Sequence, residues 1–177
     1  MTIYDISLKN HQGQVISLND FKDKVILVVN VPVNSGSTLQ LKKLHQLSQN
    51  YENTDLKIIA VQTDEFAIKL FGNAESFTFP LIEKTIVRGE GQHPLYKHLT
   101  TEAPDSIGTF YSQAKRAFIK RGLDEGSDND VIWNFEKFIV NKKGEVVKRF
   151  ATEILADDSR LIEVIDQEIA HTAKRSA

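Results

Sequence analysis

Residues 24–40 read KVILVVNVPVNSGSTLQ, and this stretch decides the fold. Its first part, Lys24–Val31, is almost continuously apolar and β-branched, which predicts a strand buried on both faces. The following Ser37–Tyr51 places leucines at three-to-four spacing and predicts an amphipathic helix. The first residue of this helix and Gln40 have the spacing of a capping box. A second buried strand, Leu56–Val61, comes next, so the order strand, helix, strand predicts a right-handed crossover in a parallel sheet.

Strand and helix signals continue to alternate along the rest of the chain. An N-terminal hairpin is predicted from Ile3–Leu8 and Val15–Leu18, which flank a polar turn. The other predicted elements are helices at Thr63–Phe71, Pro94–Leu99, Tyr111–Lys120 and Asp158–His171, and strands at Ile132–Val140 and Glu145–Phe150. This alternation indicates an α/β architecture.

Length and charge limit the classes of function. The chain has 177 residues, and we expect residues 1–177 to form one domain, with a polar, mixed-charge stretch at 105–131. The net charge of −2 argues against nucleic-acid or acidic-membrane binding. No apolar run approaches the roughly 20 residues that a membrane span needs. With no recognisable signal sequence, the expected location is cytoplasmic.

The sequence contains no cysteine. Disulfides, thiolate metal sites and thiol catalysis are therefore all excluded within these residues. His93 and His98 are five residues apart and would not share a helical face. We therefore predict neither a metal site nor a cofactor.

Four segments, taken in order, resemble the glutathione peroxidases, and most closely the bacterial members with an insertion before their last hairpin. They are Lys24–Gln40, Phe79–Ile82, Val87–Leu99 and Val131–Phe150, and the WNFEKF motif in the last is the most specific. The resemblance covers nearly the whole chain. It implies a thioredoxin-like fold, with a central mixed sheet, helices on both faces and an N-terminal β-hairpin. It also implies that residues 105–131 are an inserted helical segment.

Ser35 stands where the family has its peroxide-attacking cysteine or selenocysteine, and Gly36 follows it. In the family, a thiol at a helix N-terminus has a lowered pKa, and its thiolate attacks the peroxide to give a sulfenic acid. A serine hydroxyl stays protonated at neutral pH and has no sulfenic-acid analogue. The redox cycle of the family therefore cannot run through Ser35, and the resolving cysteine of its thioredoxin-dependent members is missing as well.

The family also carries a loop after the second strand, whose glutamine hydrogen-bonds the reactive sulfur or selenium. Here Val61 runs through Gln62 straight into Thr63, so on the favoured pairing the loop is deleted and Gln62 is a candidate stand-in. A second pairing sets Asp64-Glu65-Phe66 against Asn-Gln-Phe and places Glu65 at the glutamine position. Neither pairing leaves the loop intact.

The resemblance places Trp133 and Asn134 at the remaining two positions of the family's catalytic tetrad. Each also has a structural role available. The indole would fill space beside the first helix, and Asn134 would satisfy backbone groups at a strand start. Together with Ser35, Gly36 and Gln62 they would line a vestigial pocket, where a helix N-terminus is able to hold an anion.

The leading interpretation is a protein of this peroxide-reducing family that is catalytically inactive and retained for binding or interaction. Its pocket would take a peroxide or a small anionic or thiol ligand, with no protein partner defined and a monomer favoured. The alternative is an oxidative-stress peroxidase, either residually active by a non-thiol route or a cysteine-to-serine variant of an active enzyme. A serine hydrolase built on Ser35 is disfavoured, because no motif supplies a histidine base.

Overall fold

The computed structural model describes residues 2–33, 38–66, 78–108 and 129–171. Within them the strands are β1 Ser7–Lys9, β2 Val15–Ser17, β3 Val25–Pro32, β4 Leu56–Thr63, β5 Leu81–Ile82, β6 Lys137–Val140 and β7 Val146–Phe150. The helices are α1 Leu39–Asn50, α2 Pro94–Glu102 and α3 Ser159–Ala170, with short 3₁₀ turns at Ile3–Asp5 and Leu18–Phe21.

Five strands form a mixed sheet in the order β5-β4-β3-β6-β7. At its centre β3 is buried at all eight positions, as its β-branched run predicts. It pairs in parallel with β4, from Val25 opposite Leu56 to Pro32 opposite Thr63, and antiparallel with β6. The crossover through α1 that joins β3 to β4 was predicted from the sequence, and the structure confirms it.

Helices cover both faces of the sheet and divide the core into two apolar clusters. Even-numbered residues of β3, such as Ile26 and Val28, pack in a first cluster with Leu95 and Leu99 of α2. The odd-numbered residues pack in a second cluster with α1 and α3. Because side chains alternate across a strand, Asn30 lies on the α2 side of the sheet. The expected mixed sheet with helices on both faces and an N-terminal hairpin is confirmed.

The N-terminal part differs from expectation in two places. The first hairpin strand is only Ser7–Lys9, because Ile3–Asp5 forms a 3₁₀ turn closed by Asp5 accepting from the Thr2 amide at 2.7 Å. The predicted capping box of α1 is wrong as well. The hydroxyl of Thr38 caps the helix by accepting from the Leu41 amide at 3.2 Å. Gln40 instead donates to the carbonyl of Thr152 at 2.5 Å.

Later boundaries also shifted. A helix starting at Thr63 is wrong, because β4 continues through that residue and the chain then bends at Glu65 and Phe66. The predicted strand from Ile132 begins only at Lys137, since the chain turns at Phe135 with a φ of 64°. The short strand β5 was not predicted, because two residues carry no readable alternation. The predicted helix at Tyr111–Lys120 and most of the helix at Thr63–Phe71 lie outside the described residues.

Candidate functional site

The Trp133–Asn134 turn lies beside the end of β3 and, along the chain, between residues 129–132 and strand β6. Asn30 of β3 holds this turn in place, because its side-chain amide nitrogen donates to the carbonyl of Trp133 at 2.9 Å. Its backbone carbonyl accepts from the Phe135 amide at 2.7 Å. A single polar residue inside an apolar strand thus fixes both sides of the turn. Its isolated polarity in KVILVVNV was the signal by which sequence reasoning could have found it.

Phe66 brings the segment after β4 against the same turn. Its ring lies 5.6 Å from the Trp133 ring, with the planes tilted by 43°. The Asn134 amide nitrogen donates to the Phe66 carbonyl at 3.4 Å, a long and weak bond. The indole therefore packs on the first cluster, on the α2 side, and not on the cluster that α1 buries. The expectation of an indole packed beside the first helix stays a prediction, because residues 34–37, which lead into that helix, lie outside the described residues.

Glu65, the residue before Phe66, is anchored close by. One oxygen of its carboxylate accepts from the Val87 amide at 2.5 Å and from the Thr63 hydroxyl at 3.1 Å. These bonds hold the β4 end against the loop that precedes α2. Phe66 contacts Trp133 and Asn134, and Glu65 directly precedes Phe66 in sequence. Glu65 is therefore held near the turn.

Gln62 stands differently. It is still within β4, opposite Val31, and its carbonyl accepts from the Thr85 amide at 2.9 Å. Alternation along β4 directs its side chain to the face shared with Val31, opposite to that of Asn30. Of the two glutamine candidates, Glu65 is the one that these contacts bring close to Trp133 and Asn134.

Thr152 links the turn to the first helix. Its hydroxyl donates to the Asn134 carbonyl at 2.8 Å, and its own carbonyl accepts from the Gln40 side chain. The first turn of α1 is thereby fixed relative to Asn134. Nothing in the sequence signalled Thr152, which follows β7 in an irregular segment. Ser35 and Gly36, the predicted nucleophile position and its neighbour, lie outside the described residues.

Buried oxygen atoms at the site lack hydrogen-bond partners among the described residues. They are Oδ1 of Asn30, Oδ1 of Asn134 and the hydroxyl of Tyr96, whose residues are all 0% exposed. Burial raises the pKa of Tyr96 well above its usual value, and the nearby carboxylates of Glu136 and Glu65 add to this. Since buried polar groups are ordinarily paired, these oxygen atoms are an exception among the described residues.

Lys137 is a buried charge close to the site but on the other face. It is 0% exposed, and its ammonium donates to the Phe135 carbonyl at 2.7 Å. Burial lowers the pKa of Lys137 to about 7, although the carboxylates of Glu136 and Glu153 favour its charged form. The group therefore titrates near neutral pH without reaching solvent.

The donor set does not resemble a metal site. Throughout the described ranges no three His, Asp or Glu side chains are grouped as metal ligands. In the same ranges, every helix is too short or too polar to cross a bilayer.

Known proteins resemble this chain over most of its length. A family model described as glutathione peroxidase matches residues 3–100. The thioredoxin/glutathione peroxidase BtuE of Escherichia coli K12 is 29% identical over 173 residues, covering 92% of this chain and 94% of the relative. The hydroperoxy fatty acid reductase gpx1 of Synechocystis sp. is 32% identical over 176 residues, covering 91% of this chain and 96% of the relative.

Solved structures agree with the sequence matches. The crystal structure of Trgpx in its apo form superposes with a TM-score of 0.68 at 27% identity, covering 95% of this chain and 97% of that one. The crystal structure of T. cruzi GPX1 gives a TM-score of 0.70 at 21% identity, over 94% and 97% of the two chains, a likeness of fold. The thioredoxin-like architecture is thus established. The chain belongs to the glutathione peroxidase family.

Proposed function

We propose that this protein does not reduce peroxides by the thiol cycle of its family and instead binds a small polar ligand at the Trp133–Asn134 site. One observation carries the proposal. The chain has no cysteine, yet Trp133 and Asn134 stay against Phe66, and the buried side-chain oxygen atoms of Asn30 and Asn134 have no partner among the described residues. A site that had lost all use would be expected to fill those positions with apolar side chains.

Loss of catalysis follows from the chemistry of the nucleophile. Peroxide reduction by a thiolate forms an S–O bond, breaks the O–O bond and releases water or an alcohol. The resulting sulfenic acid then condenses with a second thiol to give a disulfide and water, and a further thiol reduces that disulfide back to the free thiol. Ser35 cannot be oxidised in this way, and no other residue supplies sulfur except the thioether of Met1.

The ligand we propose is a hydroperoxide or a small thiol. Each carries an O–H or S–H group able to donate to an amide oxygen such as that of Asn134 or Asn30. Hydroperoxides are also the substrate class that the name of the Synechocystis relative gives. A small anion would be held differently, at the start of α1. The cytoplasmic location and the monomeric state remain predictions from the sequence.

The function is tested by peroxide turnover. Wild type and Ser35→Cys are assayed with hydrogen peroxide and tert-butyl hydroperoxide, using glutathione and thioredoxin as reductants. Ser7→Cys is the matched control, because Ser7 is exposed in β1. We expect an inert wild type and an inert control. Activity in Ser35→Cys alone would indicate that only the nucleophile was lost, whereas turnover by wild type would refute the loss of catalysis.

Binding is tested separately through the fluorescence of Trp133, which is the one tryptophan of the chain. Tert-butyl hydroperoxide and glutathione are titrated into wild type and Asn134→Leu. A saturable change of emission in wild type, lost in the variant, is the expected result. Emission that stays unchanged in wild type with both compounds would overturn the binding proposal.

A further inference from the structure

A buried ion pair lies directly beside the candidate site. Glu136 follows the Trp133–Asn134 turn by two residues, and Arg149 stands on the neighbouring strand β7. Their side chains are 2% and 0% exposed, and Nη2 of the arginine lies 2.7 Å from Oε2 of the glutamate. Fully buried charges are rare unless paired and hydrogen-bonded.

The guanidinium of Arg149 uses its whole set of N–H groups. Nε and Nη2 contact the same oxygen of Glu136, at 2.8 and 2.7 Å. Nη1 donates to the carbonyls of Pro104 and Asn129, at 3.2 and 2.7 Å, and Nη2 donates to that of Asp130 at 3.0 Å. An arginine has five such donors, so none is left for another partner.

The three carbonyls belong to the two stems of one long segment. Pro104 follows α2, whereas Asn129 and Asp130 lie at the far end, just before the turn of the site. Arg149 therefore joins stems that are separated by more than twenty residues of sequence. Rigid N–H groups suit this task, because they fix carbonyls in place as well as attract them.

The second carboxylate oxygen of Glu136 connects the ion pair to the Trp133–Asn134 turn. Oε1 of Glu136 accepts from the amide of Ile132 at 2.6 Å, immediately before Trp133. On the far side of the turn, the Phe135 amide is held by Asn30. The Trp133–Asn134 turn is thus fixed at both ends by buried hydrogen bonds.

A second line of bonds leads from the pair to Glu65. The carboxylate of Asp130 accepts from the Gly89 amide and from the Gln92 side chain, both at 3.2 Å. The same Gln92 nitrogen donates to the Val87 carbonyl at 3.0 Å, and the Val87 amide donates to Glu65. One continuous network therefore connects the stems to both sides of the site.

We propose that the Glu136–Arg149 pair positions the site, by fastening to the sheet the two stems of the segment that joins α2 to the turn, Pro104 and Asn129–Asp130, and thereby setting Trp133 and Asn134 against Phe66. Both residues act through others and contact no ligand. Opening of the stems and loosening of the Trp133 environment are then one event. The inference does not depend on whether the site binds a hydroperoxide.

The test removes the pair without leaving a lone buried charge. In Glu136→Met/Arg149→Met, apolar side chains fill the space, an exchange that often preserves stability in buried ion pairs. We expect a folded protein in which acrylamide quenches Trp133 at least about threefold more efficiently than in wild type. Arg149→Lys, which keeps the charge but loses the fork of donors, is expected to fall between the two. Arg160→Lys, whose arginine pairs with Asp158 at the exposed start of α3, is the control and should match wild type.

Hydrogen exchange on the unmodified chain gives an independent check that needs no variant to fold. The Ile132 and Gly89 amides should exchange slowly and at similar rates, because both are released when the network opens. Quenching in the folded double variant equal to that of wild type would overturn the inference. So would an Ile132 amide that exchanges as fast as an exposed loop amide.

Discussion

The Trp133–Asn134 turn and the neighbouring Glu136–Arg149 pair differ in how fully their buried polar groups are hydrogen-bonded. At the Trp133–Asn134 turn, the side-chain amide of Asn134 donates one long bond of 3.4 Å, and its oxygen has no partner in the described part of the chain. At the Glu136–Arg149 pair, every guanidinium N–H has a partner and both glutamate oxygens accept. Asn134 is as buried as Glu136 and Arg149, but far fewer of its polar atoms have hydrogen-bond partners among the described residues.

This difference distinguishes residues with a structural role from residues of the candidate binding site. A fully paired network in a low-dielectric interior rigidifies one arrangement, and removing one member leaves the others stranded. An unpaired oxygen costs free energy in the folded state and persists where something else requires it. Lys137 is intermediate between the fully paired network and the unpaired oxygen, because its buried ammonium makes one strong bond, to the Phe135 carbonyl.

The largest effect is expected from breaking the satisfied pair on one side. Arg149→Met leaves Glu136 as a lone buried charge, and we expect the free energy of unfolding to fall by about 3–5 kcal/mol. Urea denaturation measures this. Arg160→Met, at an exposed ion pair, should not shift the urea midpoint measurably. A loss in Arg149→Met as small as in this control would contradict a structural role for the pair.

An intermediate, pH-dependent effect is expected at Lys137. Because its pKa is about 7 in the folded chain and near 10.5 when unfolded, the unfolded state binds more protons between these values. The free energy of unfolding therefore contains a contribution that rises with pH in this window and is constant below it. Between pH 6 and 9 the rise is about 2–3 kcal/mol.

The variant Lys137→Met should lose this rise, which urea denaturation at pH 6, 7.5 and 9 measures as the difference from wild type. Lys148→Met, at an exposed position of β7, is the matched control and should run parallel to wild type. Parallel curves for wild type and Lys137→Met would show that Lys137 is not a depressed-pKa group.

The smallest effect on stability is expected at the unsatisfied turn. Asn134→Leu removes a weak bond and an unpaired oxygen, so the free energy of unfolding should change by no more than about 1 kcal/mol in either direction. Asn30→Leu, which removes the bond from the Asn30 amide to the Trp133 carbonyl, should cost about 1–3 kcal/mol. A cost for Asn134→Leu above that of Asn30→Leu would make Asn134 a structural residue and remove the contrast between the two stretches.

Several strands and helices were predicted from local sequence patterns. The run KVILVVNV became the fully buried β3, and Asp158 caps α3 one residue before it begins. Errors fell where the tertiary structure overrides local preference. Phe135 adopts a positive φ because Asn30 holds its amide, so the apparent strand from Ile132 begins late. Thr63 stays in β4 because Pro32 pairs with it, although its sequence reads as a helix start.

The candidate site divides in the same way. Trp133 and Asn134 were predicted as site residues from the WNFEKF motif, because the residues of a motif are contiguous in the sequence. Phe66 and Thr152 were missed, because their contacts with the turn join parts of the chain that no local pattern relates. Their partners lie 67 and 18 residues away in sequence, respectively.

The sequence by itself determined the order of buried and amphipathic elements and the absence of sulfur chemistry at Ser35, because periodicity and composition are properties of the chain alone. Only the tertiary structure decided which polar groups are satisfied. Arg149 pairs with the Pro104 carbonyl 45 residues before it, and whether such a bond forms depends on the path of the whole backbone. For the same reason, only the folded backbone reveals that the side-chain oxygen atoms of Asn30 and Asn134 have no partner among the described residues.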